Sequence, residues 1–176
     1  MVKAVNKSIG ILGGSFDPAH KGHLAISKIA IKKMRLDKIL WVITKRNPFK
    51  NNPYYSLSQR IKKAKEMAKK VKKIEVNYLD KTINSSRSID VIKYLIRKKK
   101  LRTIYFIIGA DNLIAFHKWK SWKKIAKLTQ LVVFSRKGHD NIGKKSTVAK
   151  YLKNKITFIK NKPIIISSTK LRKKLN

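Results

Sequence analysis

Apolar positions along the chain fall into two patterns. Short unbroken runs alternate with longer stretches in which apolar side chains recur every three or four residues. Residues 8–13 predict a short buried strand ending in glycines. Leu24, Ile26, Ile29, Ala30 and Met34 then form one stripe of a helix opening near Gly22. Residues 38–44 predict a second strand, and the two prolines between Asn47 and Tyr55 predict a loop. Ser56-Leu-Ser-Gln59 has the form of a capping box, opening a helix that runs to about Val71. Further strands are predicted over 73–79, 103–108, 131–134 and 156–159. Further helices are predicted over 88–100, over 110–128 in one or two pieces, and over 168–175.

Strand and helix alternate from end to end, and no internal repeat is visible. That order predicts one α/β domain over residues 1–176. Its core would be a Rossmann-like doubly wound parallel sheet of five to six strands, with helices on both faces. Such sheets take ligands beyond the carboxyl ends of their strands. The loops after Gly13, Thr44, Ile108 and Phe134 are therefore where a site is expected.

Composition narrows the class. Of 176 residues 43% are hydrophobic, enough for a core and against a wholly disordered chain. Lys and Arg number 45 against eight Asp and Glu, a net charge of +37. Such a surplus favours anionic partners. Arg accounts for only eight of the basic residues, whereas dedicated nucleic-acid binders lean on Arg for bidentate contacts. Abundant Lys, Ile and Asn is also what an AT-rich genome encodes, so the charge has two readings, compositional drift and selected binding. Lys-rich patches such as Lys98-Lys-Lys100 read as solvated faces. Cysteine is absent, which excludes disulfides, thiolate-bound zinc and thiol catalysis. No apolar run approaches a membrane span, and the basic start through Lys7 lacks the form of a signal peptide. A soluble cytoplasmic protein, monomer or homo-oligomer, is expected.

The first strand runs directly into Gly13-Gly-Ser-Phe-Asp-Pro-Ala-His-Lys-Gly-His23. Glycines let a main chain approach a ligand closely, and Asp17-Pro18 marks a turn. His20 and His23 stand three apart at a helix start, so one turn brings both rings to one side. Exposed N–H groups there would suit an anion. The same residues also fit a strand–turn–helix with two surface histidines. Neither the Walker loop nor the dinucleotide fingerprint is present. No Asp or Glu cluster completes a metal shell around the histidines, so no protein-bound metal is expected. Near the end, Ile166-Ser-Ser-Thr-Lys-Leu-Arg172 opens a helix. Its hydroxyls can cap that helix or donate to an anion, with Arg172 one turn on.

These two stretches resemble the HxGH and late ISSTxxR signatures of the nucleotidylyltransferase superfamily. Asn47-Pro-Phe-Lys50, Ser86-Arg-Ser-Ile-Asp90, and Ile108-Gly-Ala-Asp-Asn-Leu113 with Phe116 to Trp122 narrow the resemblance to bacterial nicotinate-nucleotide adenylyltransferases. The match follows chain order over nearly the whole length. It implies main-chain contacts to nucleotides from Gly14, Ser15 and Phe16, and phosphate contacts from His20, His23 and Lys50. It implies a ribose site at Gly109 and Asp111, a pyridine site at Ser88 and Trp119, and ATP phosphates at Ser167, Ser168, Thr169 and Arg172. Arg136 is a further nucleotide-binding candidate. Two features depart from the family: Arg87 replaces a frequent Tyr, and the chain ends four residues after Arg172.

The activity implied is transfer of AMP from ATP to nicotinate mononucleotide, with Mg²⁺ held mainly by phosphates and water. The attacking phosphate is already an anion, so positioning and electrostatics would carry the catalysis. Protonated His20 and His23, with Lys50 and Arg172, would be donors with no acceptor duty. Two side-chain assignments keep a structural alternative: Trp119, together with Trp122, as helix-face packing, and Asp111 as a helix cap. Competing functions are an adenylyltransferase for nicotinamide mononucleotide or another phosphorylated acceptor, and a basic nucleic-acid binder on a degenerate transferase fold.

Overall fold

A computed structural model describes residues 7–47, 52–99, 101, 103–161 and 167–172. In chain order the elements are β1 (Ser8–Gly14), α1 (Lys21–Lys33), β2 (Lys38–Ile43), α2 (Leu57–Ala68), β3 (Ile74–Asn77) and α3 (Asp80–Ile83). Then follow α4 (Ser88–Lys99), β4 (Thr103–Gly109), α5 (Ala110–Ala115), α6 (Trp122–Leu128) and β5 (Gln130–Phe134). The last are α7 (Asp140–Lys144), α8 (Thr147–Leu152), β6 (Ile156–Ile159) and α9 (Ser168–Arg172). The six strands form one parallel sheet in the order β3-β2-β1-β4-β5-β6. The order reverses between β1 and β4, and that switch point opens a crevice at the carboxyl ends.

The strands read as continuous apolar runs because both sheet faces are covered. Alternate residues serve opposite cores. Ile9, Ile11, Phe106 and Ile108 lie in the core shared with Ile92, Leu113, Phe116 and Ile125, beneath α4, α5 and α6. Leu12, Trp41 and Ile107 lie in the core shared with Leu24, Ala30 and Ala64, beneath α1 and α2. Fully buried Trp41 donates from Nε1 to Ser27 Oγ on α1 at 2.8 Å, which satisfies both polar atoms. Gly10 is required by close approach: a Cβ there would meet Leu36, Ile107 and Ile39 side chains at 2.8–3.0 Å.

All six predicted strands are present, with ends shifted by no more than two residues. The predicted 110–128 helix is broken, and a 3₁₀ turn over Phe116–Lys118 separates α5 from α6. Ser121, at a left-handed φ of 57°, restarts it. Helix α2 stops at Ala68 rather than Val71. The short helices α3, α7 and α8 lie outside the predicted elements; none exceeds six residues, too few for a periodic signal. Residues 173–175 of the predicted last helix fall outside the described residues. No described helix is long and apolar enough to cross a membrane.

Candidate active site

The histidine pair builds the start of α1. His20 is the N-cap, with extended backbone at φ −148° and ψ 170°. Its Nδ1 accepts the Gly22 N–H at 3.1 Å, and His23 Nδ1 accepts the His20 N–H at 3.2 Å. The two rings thus do the work of a reciprocal capping box. With both Nδ1 atoms accepting, the hydrogen-bond network assigns the neutral-ring proton to Nε2 in each. The ring centroids stand 3.9 Å apart. His23 also lies 4.6 Å from the Phe16 ring, which stacks on Trp41 at 5.2 Å.

His20 is buried, and burial, followed by the positive charge of Arg136, pushes its pKa down to about 4. It is therefore neutral at pH 7 and can donate through Nε2–H alone. This corrects the expectation of a protonated donor with no acceptor duty. Its Nδ1 is committed to the helix, and protonating it would break the cap.

Asp17 joins the two motifs. Its side chain is buried, and its oxygens accept the N–H groups of Tyr54 at 2.8 Å and Tyr55 at 2.9 Å. Arg172 Nη1 donates to Asp17 O at 2.6 Å and approaches Oδ2 at 3.3 Å. Ser168 Oγ donates to Pro18 O at 3.0 Å, and Arg172 Nη2 donates to Thr169 Oγ1 at 3.3 Å. The first motif and the last, more than 140 residues apart in the chain, are thereby in contact. Ser168 is used for docking α9, where the sequence left capping open. Ser167 O accepts the Leu171 N–H at 3.0 Å inside α9.

A third group comes from the ends of β4 and β5. Gly109 is the N-cap of α5 and makes no side-chain cap. Asp111 therefore does not cap the helix. Its carboxylate folds against Gly109, where a Cβ would strike Asp111 Oδ1 and meet Arg136 Cγ at 3.3 Å. Arg136 Nε stands 3.5 Å from Asp111 Oδ1, an oxygen with no hydrogen-bond donor among the described residues. The Arg136 N–H is held by Asp140 Oδ1 at 2.8 Å. The charge of Arg136, just past the end of β5, is felt at His20.

Ser88 and Trp119 belong to the opposite face of the sheet. Ser88 is the first residue of α4, whose approach is set by Ser85 Oγ donating to Asp90 Oδ2 at 2.8 Å. Trp119 is half-buried and rests edge-on against Phe106 at 6.2 Å and tilted against Phe116 at 5.1 Å. Trp122 instead meets Tyr151 at 5.1 Å, which is packing. An open cleft of about 1460 Å³ runs beside the start of α4, lined in part by Lys45, Arg46, Ser86 and Arg87. Neither histidine lines it. Lys50 lies outside the described residues. Among the described residues no three His, Asp or Glu side chains converge as metal ligands.

Two residues escape sequence reasoning. Asp17 reads only as a turn former, because its partners are distant in the chain. Arg60 was legible in principle: with Leu57, Ala64 and Ala68 it holds an inner-face position of α2. It is 2% exposed. A charged residue at such a position needs partners, and it has four main-chain ones, described below.

Comparison with known proteins agrees with this arrangement. A family model described as Cytidylyltransferase-like matches residues 11–174. A Pelagibacter ubique (strain HTCC1062) protein named probable nicotinate-nucleotide adenylyltransferase is 51% identical over 166 residues, covering 94% of this chain and 92% of its own. One of the same name from Bradyrhizobium sp. (strain ORS 278) is 39% identical over 129 residues, 73% of this chain and 67% of its own. The Plasmodium falciparum nicotinic acid mononucleotide adenylyltransferase solved with NaAD superposes with a TM-score of 0.77 at 21% identity. That superposition covers 95% of this chain and 83% of the other, and speaks for the fold. With the signature loops in contact and the likeness extending over nearly the whole chain, the protein belongs to the nicotinate-nucleotide adenylyltransferase family of cytidylyltransferase-like nucleotidyltransferases.

Proposed function

We propose that the protein transfers AMP from ATP to nicotinate mononucleotide, giving deamido-NAD and pyrophosphate, as a cytoplasmic step of NAD synthesis. The observation that carries this reading is the joining of the two signature loops through Asp17, which sets Arg172 beside the loop of His20 and His23. The 5′-phosphate of the acceptor attacks the α-phosphorus in line, a new P–O bond forms, and the bond to pyrophosphate breaks. The attacking oxygen is already anionic, so no general base and no covalent enzyme intermediate are required.

Catalysis then rests on donors aimed at charge spread over phosphate oxygens. His20 and His23 donate through Nε2–H, and His20 does so as a neutral ring. Positive charge comes from Arg136, Arg172 and, in this reading, Lys50. Gly14, Ser15 and Phe16 offer main-chain contacts, and Ser167, Ser168 and Thr169 lie at the triphosphate. Asp111 Oδ1, which accepts no hydrogen bond from the described residues, suits a ribose hydroxyl. Trp119 gives the nicotinate ring a face to stack on, with Ser88 beside it. Mg²⁺ enters with ATP as part of the substrate and neutralises phosphate charge. A carboxylate on the pyridine suits main-chain N–H donors and the net positive field better than an amide does.

The test uses ATP made chiral by sulfur at the α-phosphorus, with nicotinate mononucleotide as acceptor. A deamido-NAD thio-analogue with inverted configuration is expected. Retention, or no product from folded protein with ordinary MgATP, would overturn the mechanism or the reading respectively.

A further inference from the structure

Arg60 is fully buried on α2, and the reaction described above does not use it. Its guanidinium donates to four main-chain oxygens. Nη1 reaches Ser15 O and Thr44 O, both at 2.8 Å, Nη2 reaches Lys45 O at 2.9 Å, and Nε reaches Tyr55 O at 3.2 Å. Those oxygens lie in two connections: the one after β1, and both ends of the one between β2 and α2. Burial opposes the charge, while Asp17 and Asp80 attract it. A side chain held at that cost is expected to be fixing something that apolar packing cannot.

The Ser15 oxygen is the informative one. Phe16 has a left-handed φ of 48°, which a bulky residue adopts only under constraint. In a trans peptide the carbonyl and the next N–H point in opposite directions. Holding Ser15 O toward Arg60 therefore turns the Phe16 N–H away from α2. Among the described residues that N–H has no acceptor. The Phe16 ring is fixed between Trp41 and His23, so this residue belongs to the loop beside the histidine pair.

We infer that Arg60 is a positioning residue for adenylyl transfer: it holds the Ser15–Phe16 peptide so that the Phe16 N–H is presented to a phosphate oxygen of the nucleotide. The inference rests on the function proposed above. Arg60 touches no substrate; it acts through the peptide it orients.

Arg60→Lys keeps the charge, but one ammonium cannot serve four oxygens in a planar fork. Its kcat is expected to fall about tenfold to a hundredfold, the scale of losing one preorganised donor. Its KM for nicotinate mononucleotide should stay within about threefold, because uniform binding is untouched. A wild-type kcat, or a loss spread over kcat and both KM values, would make Arg60 merely structural and overturn the inference. Should the variant not fold, the ¹⁵N-labelled wild-type chain decides. Adding Mg²⁺ with α,β-methylene ATP should shift the Phe16 amide resonance and slow its hydrogen exchange. A Phe16 amide that stays unchanged while other amides of the site respond would overturn the inference. Wild-type turnover is measured first. An inactive wild type breaks the functional reading; an active one with an unresponsive Phe16 amide breaks only the inference about Arg60.

Discussion

The two halves of the site are held by different physics. Around the histidine pair, position is set by hydrogen bonds to buried charge. Asp17 gathers two N–H groups and Arg172, Arg60 gathers four carbonyls, and the two imidazoles cap their own helix. Around Trp119, the indole rests on the aromatic rings of Phe106 and Phe116. The difference follows from what each half is proposed to hold. Phosphates need donors at fixed points, and a misplaced donor loses most of its effect. A pyridine ring needs a flat apolar face, and packing tolerates small changes. The halves should therefore fail differently when altered.

The largest effect is expected in the wired half. His23→Ala or His20→Ala should each lower kcat about a hundredfold, near 3 kcal/mol, as loss of a donor in a dry site does. Steady-state kinetics with saturating ATP and acceptor measure this, and a near-normal rate would remove the residue from the mechanism. Next is Gly109→Ala. The added methyl must displace the Asp111 carboxylate and press on Arg136, so KM for ATP should rise about tenfold with little change in KM for the acceptor. An equal rise in both would mean that the halves are not separable.

Trp119→Leu tests the packed half. It keeps apolar bulk against Phe116 but removes the stacking face, worth about 1 kcal/mol, so KM for nicotinate mononucleotide should rise about fivefold while KM for ATP holds. Unchanged acceptor kinetics would leave Trp119 as packing alone. The last prediction concerns stability. His20 has a pKa near 4 when folded and the ordinary 6.5 when unfolded, so the unfolded chain binds its proton first. The contribution is complete above pH 6.5 and is lost as pH falls from there toward 4, at up to about 1.4 kcal/mol per pH unit. Urea unfolding of the wild type should show that slope beyond the slope of His20→Asn, which keeps a capping acceptor without a titrating ring. Equal slopes would mean that His20 is not held neutral.

The sheet was legible because each strand is a buried apolar run bounded by turn residues, and strand–helix alternation leaves little choice of topology. The short α3, α7 and α8 were not, since helices of four to six residues owe their existence to packing and, in α8 alone of the three, to a side-chain cap from Ser146. Within the site, the residue types at His20, His23, Asp111 and Arg172 could be read from motifs. Their states could not. That His20 is neutral follows from burial and from Arg136, and that Ser168 docks rather than caps follows from a contact to Pro18. Asp17 is invisible to spacing because its partners come from two distant segments. Arg60 left a trace, a cation on the inner stripe of α2, which periodicity can flag but not explain.

One measurement bears most directly on the whole account: pyrophosphate release by one preparation of the protein supplied with MgATP and, in parallel, nicotinate mononucleotide, nicotinamide mononucleotide or no acceptor. Rapid release is expected with the acid, much slower release with the amide, and none without an acceptor. Release from the amide at the same rate would contradict the acceptor assignment. No release from either, by protein shown to be folded, would contradict the function itself.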